Sequence, residues 1–384
     1  MNTDVATRLL DALLQDFGAR KFGKQAIIAV DAPRASFRWT GVRGETESGN
    51  PVAGSTPFFI ASIDKLYNAT IAMMLMERGE LQLDDSICRY LPEELTRGLH
   101  QIGECDHTAS ITLKHLLTHT SGLPDWFEDY PQDEACLAEI VFQDGDRRLP
   151  VDELLDYVRN RLKPHFAPQS VSGKRPRIRY SDTNFVLLAK IIESITGEPL
   201  HVVHRGLLHE PFGLKETYFF GRPQEDKEQK GTMVLRANGE PLRIPLLLQS
   251  AKSIYSTVDD MMRFVRLLMG GKIFENPETL SRMTSRWLRF GFPRDRAALR
   301  SPNWPIEYAM GMMRFQVPRL FVPFKPIPAV LGHTGSTGCW LFYCPALDVT
   351  LAGSVEDAAA GPVPFRLVPQ ILQALIRAGA METG

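Results

Sequence analysis

Residues 58–65 read Phe-Phe-Ile-Ala-Ser-Ile-Asp-Lys and hold the one Ser-x-x-Lys spacing of this chain, from Ser62 to Lys65. A serine and a lysine three residues apart share one face of a helix. If the helix begins at Ser62, its hydroxyl lies at the positive end of the helix dipole, among unpaired backbone N–H groups. A hydroxyl there, with an amine close enough to take its proton, is an activated nucleophile. The stretch therefore predicts a hydrolase that forms a covalent intermediate on Ser62.

Serine and lysine are both common, so this spacing alone could arise by chance. The neighbouring residues give it significance. Residues 54–57 are typical of a turn and residues 58–60 of a short apolar strand. Residues 66–76 are apolar nearly all round, which is typical of a buried helix, and Gly79 follows at its C-terminal end. Lys65 would then bring a charge into the interior, which is costly unless the charge is paired. We therefore expect later parts of the chain to supply partners for Lys65.

The composition excludes several classes of function. The chain has 384 residues, enough for two domains or one elaborated domain, and its formal net charge is −1. This charge implies no bulk attraction to nucleic acid or to an anionic membrane. No apolar run approaches the roughly 18 residues of a membrane span. We expect neither nucleic-acid nor membrane partners, and the composition leaves the oligomeric state open.

Targeting signals and cysteines give a prediction of location. Residues 1–10 lack the basic start, apolar core and small-residue cleavage site of a signal peptide, so we expect a cytoplasmic protein if Met1 is the native start. The five cysteines are irregularly spaced and show no zinc pattern, and reduced thiols fit the cytosol. We expect no metal and no cofactor.

The apolar patterns predict an α/β (α+β) fold in which the two ends of the chain share one antiparallel sheet flanked by helices. Two segments, residues 1–83 and 206–384, are predicted to form this discontinuous sheet domain, and residues 84–205 a helical region. Predicted strands span residues 25–30, 36–42, 328–333, 339–344 and 347–355, and predicted helices span residues 3–20, 112–117, 151–162, 185–196, 257–269 and 365–378. Residues 124–150 and 163–179 are predicted to be loops.

Three short segments, in this order, resemble motifs of the penicillin-recognising serine hydrolases: residues 62–65 (Ser-Ile-Asp-Lys), 180–182 (Tyr-Ser-Asp) and 333–335 (His-Thr-Gly). The similar branch contains class C β-lactamases, D-alanyl-D-alanine carboxypeptidases and related esterases. Supporting stretches lie at residues 80–91, 116–123 and 308–311, and the resemblance runs from about residue 25 to 355. It implies a β-lactamase-like fold with the active site between the sheet and the helical region. No Gly-x-Ser-x-Gly occurs, which argues against a nucleophile-elbow hydrolase.

The resemblance also implies roles for the residues in these motifs. Ser62, Lys65 and Tyr180 would be the catalytic residues. Lys65 as a cation is expected to lower the pKa of the Tyr180 phenol, which could then relay protons as general base and later acid. Lys65 could instead be the direct base, and the sequence leaves both possibilities open. The backbone amides of Ser62 and Ser336 would form the oxyanion hole.

The substrate-binding residues implied by the resemblance are Asp182, His333, Thr334 and Gly335. Asp182 stands where the branch usually has asparagine, and its carboxylate could pair with Lys65. His333 stands where the β-lactamases have a permanently charged lysine, and histidine is mostly neutral at pH 7. Both changes favour uncharged esters over substrates that carry a carboxylate.

The leading prediction is therefore a carboxylesterase or lactonase that acts on a small ester or lactone through a Ser62 acyl-enzyme. The alternatives within the enzymes are a β-lactamase and a peptidase or amidase for D-amino-acid compounds. A catalytically dead ligand-binding relative is the alternative from another class, and the intact Ser62, Lys65 and Tyr180 argue against it. Two further points stay open from sequence: whether Lys252 returns a cation to the cleft, and whether Trp126, Phe127 and Tyr130 wall an acyl pocket or pack the helical region.

Overall fold

The computed structural model describes residues 1–221, 231–322 and 326–380. The helices within this part of the chain are α1 (Thr3–Gly18), α2 (Asp64–Glu77), α3 (Glu93–Thr96), α4 (Leu113–Leu117), α5 (Leu137–Asp144), α6 (Val151–Arg161), α7 (Asp182–Thr196), α8 (Leu200–His204), α9 (Pro245–Ser250), α10 (Val258–Met269), α11 (Glu278–Met283), α12 (Arg296–Arg300) and α13 (Pro364–Arg377). A π-helical turn, Arg205–His209, continues α8.

The strands of the described residues are β1 (Ala26–Ala32), β2 (Phe37–Arg43), β3 (Phe58–Phe59), β4 (Gln101–Ile102), β5 (Cys105–Asp106), β6 (Tyr218–Phe219), β7 (Arg236–Ala237), β8 (Glu240–Pro241), β9 (Ile254–Ser256), β10 (Leu288–Arg289), β11 (Glu307–Tyr308), β12 (Met313–Phe315), β13 (Val330–Thr334), β14 (Trp340–Cys344) and β15 (Val349–Ser354). Eight of them form one antiparallel sheet in the order β10-β11-β12-β13-β14-β15-β1-β2. A second sheet has the order β3-β9-β6.

Strand β1, next to the edge strand β2, joins the two ends of the chain. It pairs with β15 on one side, with Ile27 opposite Ser354, and with β2 on the other. Side chains alternate between the two faces of a strand. Ile28 therefore packs beneath α1 and α13, whereas Ile27 packs into the larger core around α2. Both faces of this part of the sheet are buried, so residues from both termini are needed to build the wall behind the site.

Helix α2 lies in the interior and fixes the position of the Ser-x-x-Lys pair. All its residues from Lys65 to Leu75 are buried, and it packs against α7 and α11. A 3₁₀ turn, Ala61–Ile63, precedes it and carries Ser62. Ala61 has a φ of +44°, a left-handed conformation that is uncommon for residues other than glycine and often found at functional sites.

Most of the predicted elements agree with the structure, and the α/β class with an antiparallel sheet flanked by helices is confirmed. The prediction of a loop over residues 124–150 is wrong, because α5 lies within it and buries Leu137, Ala138 and Val141. Helix α7 begins at Asp182 and not at residue 185. The domain boundaries at residues 84 and 205 stay a prediction. Within the described residues, no helix has the length and apolar character needed to cross a bilayer.

Candidate active site

The two residues of the Ser-x-x-Lys motif, Ser62 and Lys65, are in contact. Lys65 Nζ lies 3.0 Å from Ser62 Oγ and is placed to donate a hydrogen bond to it. Lys65 is 4% exposed, because the first turn of α2 points it into the interior. The Ser62 hydroxyl faces a cleft that is open to solvent. A serine oxygen at the wall of a cleft, bonded to a buried amine, is arranged as a nucleophile beside its proton partner.

Asp182 is the principal partner of Lys65. Its Oδ1 lies 2.9 Å from Lys65 Nζ, and Asp64 Oδ1 lies 3.8 Å away. Burial opposes the charge on Lys65, but Asp182, Tyr180 and Asp64 outweigh it and raise the pKa of Lys65 well above its ordinary value. The pairing expected from sequence is therefore present. In the resting protein Lys65 is an ammonium group.

Tyr180 lies two residues before Asp182, and its ring is close to Lys65. The ammonium nitrogen is 5.4 Å from the centroid of the Tyr180 ring. The expected fall in the phenol pKa is wrong. Burial raises the pKa of Tyr180, and the negative charge of Asp182 adds to this rise while Lys65 only partly offsets it. The Tyr180 hydroxyl is buried, and the side chains of Ser62 and Lys65 are its hydrogen-bonding neighbours.

The third motif forms the end of β13, and its side chains lie behind the cleft wall. His333 is fully buried, and its Nδ1 is 2.7 Å from the Thr334 carbonyl oxygen. Because a carbonyl only accepts, Nδ1 carries the proton and Nε2 accepts from the Tyr308 hydroxyl at 3.1 Å. Burial, together with Lys65, lowers the pKa of His333 to about 3. The ring is therefore neutral, as expected, but it is directed at Tyr308. Direct binding of substrate by His333, Thr334 and Gly335 stays a prediction.

Gly335 allows the end of β13 to reach the turn that holds the nucleophile. A Cβ atom at Gly335 would lie 2.4 Å from Cys339 Sγ and 2.7 Å from Ala61 Cβ, closer than real Cβ atoms come. This close approach puts Ser336 on the same cleft as Ser62. The two residues whose backbone amides are predicted to form the oxyanion hole therefore face one cavity.

The cleft has mostly apolar walls. Four helices, α5, α6, α7 and α9, provide most of these walls through Phe142, Leu154, Phe185, Val186, Ala189, Leu247 and Leu248. Leu149, between α5 and α6, also lines the cleft. Trp126 and Phe127 also line it, which resolves one of the questions left open by the sequence. Tyr130 instead accepts a hydrogen bond from Arg300 and donates one to Glu139. The shape and lining suit an apolar acyl group.

Lys252 does reach the cleft, but its charge is balanced. Its Nζ lies 2.5 Å from Glu193 Oε1. Burial lowers the pKa of Lys252, although Glu193 favours the charged form. Lys252 has a φ of +53°, a left-handed conformation that is uncommon for residues other than glycine.

Two cleft residues were missed at the sequence level. Asp64 belongs to the motif itself, and burial raises its pKa to about 6 although Lys65 opposes this. Asn68 lies about one turn beyond Lys65 on α2. Its Oδ1 is 2.9 Å from His204 Nε2 and is used in that contact. The amide nitrogen of Asn68 is therefore the group that can donate a hydrogen bond into the cleft. The spacing Lys65 to Asn68 could have indicated Asn68, because both lie on the helix face that carries the nucleophile.

No cluster of three or more His, Cys, Asp or Glu side chains among the described residues has the geometry to hold a metal ion.

Together, the Ser62–Lys65 contact, the adjacent Tyr180 and the open cleft define an active-serine hydrolase of the Ser-x-x-Lys type. The Beta-lactamase family model matches residues 10–374, so the chain belongs to the Beta-lactamase family. The resemblance expected from the three motifs is thereby confirmed, and the chain is a serine hydrolase of this family.

Among the relatives, D-alanyl-D-alanine-carboxypeptidase/endopeptidase AmpH of Escherichia coli (strain K12) is 25% identical over 283 residues, which are 73% of this chain and 66% of that protein. The match thus spans slightly less than two thirds of AmpH. Esterase EstB of Burkholderia gladioli is 27% identical over 77% of this chain and 76% of its own length. The crystal structure of D-amino acid amidase from Ochrobactrum anthropi SV3 has a TM-score of 0.71 and 22% identity, covering 94% of this chain and 99% of that one. This last likeness shows the fold alone.

Removing the charge of Asp182 should move the pH dependence of catalysis. The carboxylate favours the charged form of Lys65, so Asp182→Asn lowers the Lys65 pKa. Activity that needs a deprotonated base should then appear at lower pH than in the wild type. The measurement is kcat/KM against pH for a p-nitrophenyl ester. Asp64→Asn is the matched control, and its shift should be smaller because Asp64 lies 3.8 Å from Lys65. Superimposable profiles for Asp182→Asn and wild type would show that this ion pair does not control the base.

Gly335→Ala should separate Ser336 from Ser62, because the added methyl group collides with Ala61 and Cys339. Loss of one oxyanion donor typically lowers kcat by about 10²–10³-fold, and we expect a loss in this range. Gly361→Ala is the matched control, since its Cβ would be 3.5 Å from the nearest atom, an ordinary contact. Steady-state kinetics on folded proteins, with melting temperatures, make the comparison. Equal kcat values in the two variants would contradict the inference that the close approach at Gly335 holds Ser336 beside Ser62.

Proposed function

We propose that the protein is a carboxylesterase or lactonase that hydrolyses uncharged esters with apolar acyl groups through a Ser62 acyl-enzyme. One observation carries the proposal: Ser62 opens onto an apolar cleft in which each lysine of the described lining residues is already paired with a carboxylate. Lys65 is paired with Asp182, and Lys252 with Glu193. A substrate carboxylate needs a cation or several donors, since charge-assisted hydrogen bonds are the strong ones.

The arrangement supports an ordinary two-step acyl transfer. Ser62 Oγ attacks the ester carbonyl carbon, and its proton passes to a base. That base then gives the proton to the departing alcohol oxygen as the C–O bond breaks, leaving the Ser62 ester. In the second step a water molecule attacks the carbonyl carbon of the Ser62 ester while the same base takes its proton. The bond from that carbon to Ser62 Oγ then breaks, the base returns the proton to Oγ, and the carboxylic acid leaves. The developing oxyanion is assigned to the backbone amides of Ser62 and Ser336.

The base belongs to a coupled pair of groups. In the resting protein Lys65 holds its proton and donates toward Ser62, and burial keeps Tyr180 a phenol. The reactive form is therefore the one in which the pair has lost one proton. Because Lys65 and Tyr180 interact strongly, this proton is a property of the pair and not of one residue. Activity should accordingly increase as the pH rises above neutrality.

The similarity to Esterase EstB, which covers about three quarters of both chains, supports an ester substrate. A second candidate, an amidase or peptidase for D-amino-acid compounds, is supported by Asn68. Its amide nitrogen at the cleft offers a donor for an acylamide carbonyl, in place of the asparagine that Asp182 replaces. AmpH, by its name a carboxypeptidase, is a relative consistent with this candidate.

The substrate preference is tested by comparing kcat/KM for p-nitrophenyl butyrate, a chromogenic cephalosporin and a D-alanine p-nitroanilide. The butyrate ester should exceed the cephalosporin by at least about tenfold, equivalent to roughly 1.4 kcal/mol of transition-state stabilisation. Ser62→Ala is the control for background hydrolysis and should abolish both turnover and labelling by a fluorophosphonate probe.

Equal turnover of the cephalosporin would contradict the ester assignment and favour a β-lactamase. Faster turnover of the anilide would favour the amidase. Persistent fluorophosphonate labelling of Ser62→Ala would show that another residue is the nucleophile.

A further inference from the structure

His119 occupies an unusual position immediately after α4. It is fully buried, and its backbone is left-handed with a φ of +55°. Such a backbone is uncommon for a residue other than glycine, although histidine and asparagine adopt it more often than most. A strained backbone persists only where surrounding contacts hold it. The contacts that hold His119 lie around Tyr180.

His119 binds the chain on both sides of Tyr180. Its carbonyl oxygen accepts a hydrogen bond from the backbone N–H of Arg179 at 3.0 Å. Its ring nitrogen Nδ1 accepts one from the backbone N–H of Ser181 at 3.2 Å. One residue therefore fixes both neighbours of the tyrosine. The imidazole also lies against the Tyr180 ring, with centroids 4.3 Å apart and planes at 33°.

The hydrogen bonds determine the tautomer of His119. A backbone N–H only donates, so Nδ1 is an acceptor and the ring proton is on Nε2. The Asn184 amide nitrogen lies 3.1 Å from the same Nδ1, and the Asn184 oxygen accepts from the Ser121 hydroxyl at 2.6 Å. Burial, followed by the charge of Lys65, lowers the pKa of His119 well below its ordinary value. The ring therefore stays neutral beside the Lys65 cation, and its Nδ1 stays an acceptor.

We propose that His119 is the positioning residue for Tyr180: its carbonyl and its Nδ1 hold residues 179 and 181 so that the Tyr180 hydroxyl stays beside Ser62 and Lys65. The inference rests on the part of the proposed function that gives Tyr180 a share in proton transfer. Contacts to the backbone on either side of Tyr180 and to its ring determine where its hydroxyl lies relative to Ser62 and Lys65, the side chains that neighbour it. His119 makes both the backbone contacts and a ring contact. The Tyr308 ring packs against another side of the Tyr180 ring, with the two centroids 6.2 Å apart.

The test is a double-mutant cycle between His119→Gly and Tyr180→Phe. Glycine tolerates the left-handed backbone but removes the ring and Nδ1. Proton transfer by a positioned side chain typically contributes about 10²–10⁴-fold, so His119→Gly alone should lower kcat by roughly 10²-fold with KM nearly unchanged. In the Tyr180→Phe background the same change should cost less than about threefold, because residues that act as a unit are non-additive.

His119→Asn is the conservative variant. Asparagine also tolerates the left-handed backbone, and its side-chain oxygen can accept the Ser181 N–H, so it should recover at least about tenfold of the kcat lost in His119→Gly. His209→Asn changes another buried histidine and is the control for the loss of an interior imidazole. Melting temperatures of all variants are measured alongside the kinetics.

Each rate is measured both as ester hydrolysis and as fluorophosphonate labelling of Ser62. A wild type that is labelled but hydrolyses no ester would contradict the esterase assignment, and the labelling rates would still decide the role of His119. The inference is overturned if His119→Gly costs the same in both backgrounds, if His119→Asn is as slow as His119→Gly, or if Tyr180→Phe is as fast as the wild type.

Discussion

The ion pair between the buried Lys65 and the partly exposed Asp182 is the interaction on which the rest of the site depends. Only 6% of the Lys65 side chain is exposed, and Asp182 Oδ1 lies 2.9 Å from its nitrogen. Removing the Asp182 carboxylate would leave the buried Lys65 charge with only the more distant Asp64 to balance it, which is costly for a charge in the interior. Lys65 is in the first turn of α2 and Asp182 begins α7. The pair therefore also fixes how the helical region meets the turn that carries Ser62.

This ion pair determines both the protonation state of Lys65 and the charge that the cleft offers to a substrate. It holds Lys65 as an ammonium group that stabilises negative charge developing near Ser62, and it removes Lys65 as a free binding group for a substrate carboxylate. Glu193 likewise pairs with Lys252, so that Lys252 is not a free binding group for a substrate carboxylate. With apolar walls on the helical side, the proposed function has the cleft distinguish substrates by their charge and acyl size. One electrostatic arrangement thus connects the mechanism with the proposed specificity.

The sequence predicted the parts of this site that follow from local spacing. Ser62 and Lys65 are one helical turn apart, and the cost of burying Lys65 required a carboxylate, which Asp182 supplies. The sequence could not predict the direction of the Tyr180 pKa shift, because burial outweighs the nearby charge and burial is a property of the fold. Helix α5 was missed because only a short apolar stripe on it is buried. His119 was missed because its partners at 179 and 181 lie about 60 residues further along the chain.

The most direct test is the titration of the Lys65 side chain itself. Lysine labelled with ¹⁵N at Nζ, with the Lys65 signal assigned by its loss in Lys65→Met, reports the protonation state through the nitrogen chemical shift. We expect Lys65 to remain an ammonium group beyond the ordinary lysine pKa of 10.5 in the wild type. The same signal should titrate at lower pH in Asp182→Asn. A Lys65 amine that is neutral at pH 8 in the wild type would contradict the assignment of the Lys65–Asp182 ion pair as the control of the site.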